Sequence, residues 1–142
     1  MFILHPTLES DTLAIGRLKL CRILLMNNSQ LPWIILVPER AGIRESFELS
    51  TQDQSTLMTE SNSVGKLLMN EFNGDKLNVA ALGNVVPQLH VHHIVRYAHD
   101  PVWPNPVWGN LSPKPFTKIA AQQMIKRLQK RFLGELSDFT PA

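Results

Sequence analysis

The stretch Asn84 to Tyr97, NVVPQLHVHHIVRY, sets His90, His92 and His93 within four positions of one apolar run. Imidazole can serve as a nucleophile, a proton carrier, a hydrogen-bond donor or a metal ligand near neutral pH. On a β-strand, alternate side chains share a face, so Gln88, His90 and His92 point one way and Leu89, Val91 and His93 the other. Neighbours on one face lie roughly 6.5 to 7 Å apart, which lets a single phosphate group touch more than one of them. Neutral imidazole attacks phosphorus without first losing a proton, provided that one ring nitrogen is held by a hydrogen bond and the other keeps its lone pair. Attack at a nucleotide α-phosphate yields a nucleotidyl-histidine that water then resolves, while flanking donors stabilise the phosphoryl oxygens. His90 is the expected nucleophile, with Gln88 and His92 as the donors. His93 faces the other way and reads as structural.

A metal site is the competing chemistry for a His-x-His pair on a strand. It needs a third protein ligand. The next acidic residue is Asp100, and neither His5 nor His99 is tied to the pair by a motif. No metal and no other cofactor is therefore expected, and a metal-dependent enzyme working through His90 and His92 stands as an alternative.

The elements that must position these residues can be read from local pattern. Residues 18 to 26, LKLCRILLM, form an apolar run closed by Asn27-Asn28-Ser29, and WIILVP over 33 to 38 closes on Pro38. Together they predict an antiparallel hairpin. Ser50 has the form of a helix N-cap, and Leu57, Val64, Leu68 and Phe72 fall on one helical face until Asn73-Gly74. Strands are expected over 77 to 82 and 87 to 97. The segment 98 to 116 carries Pro101, Pro104, Pro106, Pro113 and Pro115 together with Trp103 and Trp108, which predicts an ordered but irregular excursion. A final helix over Thr117 to Leu136 places Ala120, Met124, Leu128 and Phe132 four residues apart. The order strand, strand, helix, strand, strand, helix implies an α+β domain, a mainly antiparallel sheet with one helix packed on it and a C-terminal helix.

Composition bounds the function classes. The 142 residues suffice for one domain, 1–142, and are too few for two. A hydrophobic share of 44% against 18% charged residues belongs to an ordinary globular chain, and a net charge of +2 does not select for nucleic acid. The basic run Lys126 to Arg131 accordingly reads as a solvated helix face, and no nucleic-acid partner is expected. Cys21 is the one cysteine, so a disulfide within the chain and a multi-cysteine zinc site are excluded. The start MFILHPTLESD acquires acidic residues too early for a secretory leader. No run approaches the ~18 apolar residues of a membrane span. The expectation is a cytoplasmic protein with no membrane partner.

With these residues in view, the sequence resembles the histidine triad (HIT) family, whose signature is His-φ-His-φ-His-φ-φ after a Gly-Gln-x-Val-x lead-in. Here Gly83-Asn84-Val85-Val86-Pro87 resembles the lead-in and Gln88-Leu89-His90-Val91-His92-His93-Ile94 the triad. The resemblance covers about 18–96 and leaves 98–142 as a C-terminal extension. It implies that His90 is the central, nucleophilic histidine and His92 the third, that Gly83 and Asn84 form the turn beside the phosphate, and that Asn78 helps to hold it. It also implies that Asn27 or Asn28, after the first strand, meets the ribose, and that Arg96 occupies a position where many members carry arginine. The sequence is most similar to a bacterial HIT-like branch of hydrolases resembling diadenosine polyphosphate hydrolases. The family is built as a homodimer joined edge to edge, so a homodimer acting on a nucleotide is expected, with DPVWPNPVWG closing the partner's site, covering its own or simply packing.

Two departures bear on chemistry. Gln88 stands at the first triad position and His93 follows the third. A glutamine amide can donate a hydrogen bond but cannot carry a proton in acid–base work. A non-catalytic nucleotide-binding module is the alternative that this substitution raises.

Overall fold

Alternation of large apolar side chains builds the centre of the sheet. The strands Cys21–Met26 (β2) and Trp33–Pro38 (β3) pair antiparallel, with Ile23 opposite Leu36 and Leu25 opposite Ile34. The hairpin read from sequence is thus present. β3 has the predicted bounds, whereas β2 starts at Cys21 because Leu18 to Leu20 form the preceding turn, closed by the Leu18 N–H to the Cys21 carbonyl. The computed structural model describes every residue from Met1 to Ala142. Before β2 lie a short helix, Pro6–Asp11 (α1), and a strand, Thr12–Arg17 (β1), that local pattern did not suggest. After it come the helix Thr51–Phe72 (α2), the strands Lys76–Ala80 (β4) and Val91–Arg96 (β5), the helix Lys118–Glu135 (α3) and a two-residue strand, Thr140–Pro141 (β6). The sheet order is β4-β5-β3-β2-β1-β6, and every neighbouring pair is antiparallel. This is an α+β fold with a six-stranded open sheet.

The two faces of the sheet are covered differently. Ile23, Leu25, Ile34, Leu36 and Val95 point to the face packed by Val64, Leu67 and Leu68 of α2 and by Leu128 and Phe132 of α3. Capping fits the sequence reading here: the Ser50 hydroxyl accepts the Asp53 N–H, and Asn73 closes α2 in the left-handed conformation at φ 49°. The opposite face, bearing Leu24, Trp33, Ile35, Val37 and Ile94, is covered by Leu8 of α1 and by Val102, Val107, Trp108 and Leu111 of the proline-rich segment. The excursion over 98 to 116 is therefore ordered packing against its own sheet. No helix is long and apolar enough to cross a membrane.

The basic run of α3 is engaged with its neighbour. Arg127 and Arg131 both pair with Glu71 of α2, and Arg131 pairs also with Glu135. Cys21 is buried, and burial beside the Glu60 carboxylate pushes its thiol far above the ordinary range. Such a thiol is inert.

Candidate active site

Residues 87 to 90 depart from the predicted strand, and that departure shapes the site. Pro87 has no N–H to give to a ladder. The Leu89 N–H pairs instead with the Ile43 carbonyl, and β5 begins only at Val91. The chain turn turns the Gln88 carbonyl toward its neighbour, so His90 Nδ1 lies 2.7 Å from the Gln88 main-chain oxygen. A carbonyl only accepts, so His90 Nδ1 carries a proton, and in the neutral ring Nε2 keeps its lone pair. His90 is buried, and it lines a cleft.

His92 is two residues along, on β5, with its ring centroid 5.0 Å from that of His90 and the planes at 68°. Its Nδ1 accepts the indole N–H of Trp33 at 2.9 Å. Trp108 lies edge-on to the same ring at 5.1 Å. Burial, with added pressure from the His90 and His93 imidazoles, pushes His92 down from 6.5 to about 3. His92 is therefore neutral at physiological pH, with its remaining proton on Nε2.

His93 faces the helical side, as alternation predicts. Its Nδ1 donates to the Val91 carbonyl at 3.1 Å, and Nε2 accepts the Ser61 hydroxyl of α2 at 2.7 Å. Burial pulls it down to about 4 against the opposing effect of backbone hydrogen bonds. His93 ties the reactive strand to α2.

The cleft has a volume of about 440 Å³. His90 and His92 form part of its wall together with the turn Leu82 to Val86; Ile35, Met26, Leu8 and Trp108 supply apolar surface, and Thr7 and Asp11 of α1 supply polar groups. Gly83 takes φ +69° in that turn, a left-handed conformation that glycine adopts without strain. Of the residues expected from sequence, His90, His92, Gly83 and Asn84 are thus brought to one cavity.

The others lie outside this cleft, Gln88 in a smaller cavity that Gly83 and His90 also line. Gln88 directs its side chain to the N-terminal segment: its Nε2 donates to the Ile3 carbonyl and its Oε1 accepts the His5 N–H, both at 2.8 Å. Asn27 and Asn28 line an adjoining cavity of about 450 Å³ that shares Asp11, Met26 and Trp108 with the first. There Asn27 Oδ1 accepts the Phe116 N–H at 3.0 Å, and Asn28 Oδ1 accepts the Gln30 N–H at 3.1 Å. Asn78 lies on β4, where its Oδ1 accepts from Arg96 at 3.0 Å. Arg96 is itself buried in a two-bond pair with Asp100.

Trp33, Thr7, Leu8 and Asp11 belong to the site although the sequence did not point to them, and Trp108 joins them from the segment read as covering a site or packing. For Trp108 the local signal was that the two tryptophans of the proline-rich stretch, Trp103 and Trp108, must find a surface to cover; the other four gave none. No three or more histidine, cysteine, aspartate or glutamate side chains are grouped so that they could hold a metal ion. One nitrogen of His92 is in any case occupied by Trp33. What the cavity offers is a lone pair at His90 Nε2, an N–H donor at His92 and an apolar wall. That combination suits a flat heterocycle carrying a phosphoryl group.

Comparison with known proteins identifies the family to which this fold belongs. The HIT domain family model matches residues 7–99. A solved histidine triad protein from Marinobacter aquaeolei VT8 is 49% identical, covers 95% of this chain and 98% of its own, and superposes with a TM-score of 0.91. One from Bradyrhizobium japonicum is 42% identical over 92% of this chain and 97% of its own, with a TM-score of 0.88. One from Sinorhizobium meliloti 1021 is 43% identical over 96% and 98%, with a TM-score of 0.87. No curated protein matches.

Proposed function

This chain belongs to the HIT domain family, and from that premise we propose that it is a nucleotide hydrolase or transferase working through a nucleotidyl-His90 intermediate. The observation that carries the reading is the His90–Gln88 main-chain hydrogen bond, which leaves Nε2 with its lone pair beside the cleft. Nε2 attacks the α-phosphorus of a phosphoanhydride, phosphoester or phosphoramidate, and the P–O or P–N bond to the leaving group breaks with its electron pair departing on that group. Water, or another acceptor hydroxyl, then attacks the same phosphorus and gives up its proton to solvent, and the P–N bond to His90 breaks with the pair returning to the ring. The His92 N–H stabilises the phosphoryl oxygens, assisted by the Gly83-Asn84 turn. Gln88 offers no proton to the leaving group, which favours substrates whose leaving group departs as a stable anion.

Diadenosine polyphosphates fit that requirement, because the group that leaves is an adenosine polyphosphate departing on a phosphate oxygen. A smaller cavity that shares Leu82, Gly83 and His90 with the cleft is lined in part by Arg44 and Glu45, and the Arg44 guanidinium suits a further phosphate. We assign this class as substrate on those grounds. The same reading puts the protein in the cytoplasm, where nucleotides are held. It also makes it a homodimer through the outer edge of β4, a terminal strand of the sheet whose Val79 is 50% exposed. Light scattering should then give the mass of two 16.1 kDa chains.

His90→Ala should abolish turnover of diadenosine polyphosphates while leaving the far-UV spectrum and melting temperature near those of the parent. Mass spectrometry after an acid-free quench should find a nucleotide on His90. A His90→Ala protein with full activity refutes the reading. Calorimetry with AMP and diadenosine polyphosphates, beside the turnover assay, separates catalysis from a binding module, which would take up nucleotide and release it unchanged.

A further inference from the structure

We propose that Trp33 is a positioning residue that locks His92 in the tautomer opposite to that of His90, so that one cleft presents a bare nitrogen and an N–H donor side by side. Each partner fixes one ring nitrogen by what it is able to do. An indole nitrogen only donates, so the 2.9 Å contact from Trp33 requires an unprotonated Nδ1 on His92. A main-chain carbonyl only accepts, so the 2.7 Å contact from Gln88 requires a protonated Nδ1 on His90. In free neutral imidazole the two tautomers interconvert readily, and nothing in a His-x-His spacing chooses between them. Here the choice is made twice, in opposite senses, by two fixed partners.

The lock also governs charge. A second proton on His92 would have to go on Nδ1, where it would meet the Trp33 N–H, donor against donor. The ring is only 5% exposed, and it is packed by Trp33 and Trp108 and flanked by the uncharged strand neighbours Ile35 and Ala80. The titratable groups around it are His90 and His93 of its own segment and Asp11, which faces the same cleft from α1. Burial and the two histidines disfavour the imidazolium, consistent with a value near 3. His92 is thereby a donor whose strength does not change across the physiological range. It stabilises phosphoryl charge without exchanging protons with the leaving group.

The catalytic consequence rests on His90 being the nucleophile, but the lock itself does not, and the experiment keeps the two apart. Nitrogen-15 NMR of the full chain with labelled histidine reads each ring nitrogen directly, with no substrate present. In the parent protein His92 should show an unprotonated Nδ1 and a protonated Nε2, His90 the reverse, and His92 should not titrate between pH 5 and 8. Trp33→Phe keeps the aromatic packing and removes the donor; His92 should then populate both tautomers and titrate at higher pH than in the parent. Where turnover is measurable, Trp33→Phe should lower kcat roughly tenfold with little change in KM. A parent spectrum with Nδ1 of His92 protonated overturns the proposal even if Trp33→Phe fails to fold. So does a Trp33→Phe protein whose His92 keeps one tautomer and the parent's titration. Absence of turnover alone strikes the enzymatic reading and leaves the lock to the NMR result.

Discussion

The side-chain amide of Gln88 bridges two main-chain groups of the N-terminal segment, donating to the Ile3 carbonyl and accepting the His5 N–H, each at 2.8 Å. The position that carries the first histidine in the triad signature thus serves here as a latch. It holds the approach to α1, whose Thr7, Leu8 and Asp11 stand on the cleft wall. Gln88→Leu keeps the size and removes both bonds. The expected loss is about 1–3 kcal/mol of stability. Amide exchange and proteolysis should rise at residues 1 to 11 and not in β3 or β5. Unchanged exchange at the N-terminus would remove the latch from the account.

Acid should unfold this protein through its buried histidines. His92 and His93 have folded values of about 3 and about 4, well below the 6.5 of an unfolded chain. Their folded values are depressed, so the unfolded state binds more protons between those limits. The stability they confer is complete above pH 6.5 and falls as the pH drops toward 4 and then 3. Each unit is worth about 1.4 kcal/mol, so the two together withdraw several kcal/mol. Denaturant titrations of His93→Gln at a series of pH values should show a shallower decline from pH 6.5 to 4 than the parent. An equal slope would show that His93 titrates normally in the folded protein.

The Arg96–Asp100 pair should behave as a buried charge pair. Both side chains are 2% exposed, and two bonds of 2.8 and 3.1 Å join them. Burial by itself would raise the Asp100 carboxyl, but the Arg96 guanidinium and the Tyr97 and Val102 N–H groups outweigh it and hold the carboxyl at about 2. Arg96→Met leaves a buried carboxylate without its partner and should cost about 3–5 kcal/mol at neutral pH. That cost should shrink as the pH falls and Asp100 takes up a proton. The double variant Arg96→Met with Asp100→Asn should recover much of the loss in equilibrium unfolding. Additive losses in the double variant would contradict the pairing.

Much of this molecule was legible in local pattern, because backbone period and capping are local physics. The run WIILVP defined β3 to the residue, Ser50 and Asn73 bounded α2, and the four-residue spacing of Leu128 and Phe132 marked the buried face of α3. β1 was harder to see. Gly16 interrupts its apolar run, and the strand carries a bulge between Ala14 and Gly16. That glycine is needed because the β6 backbone at Thr140 and the Phe139 ring approach too closely for a side chain, a contact made 124 residues along the chain.

The site divides along the same line. That His90 and His92 share a cleft followed from their spacing, and that His93 turns away followed from alternation. Which nitrogen of each ring carries the proton did not, because the Trp33 indole is 59 residues from His92 and reaches it only through the pairing of β3 with β5. Gln88, Asn27 and Asn78 are hydrogen-bonding residues in any reading of the chain, yet their partners Ile3, Phe116 and Arg96 lie 85, 89 and 18 residues away. Residue type and spacing specify what chemistry is available. The packing of distant segments on one face of the sheet specifies which donor meets which acceptor.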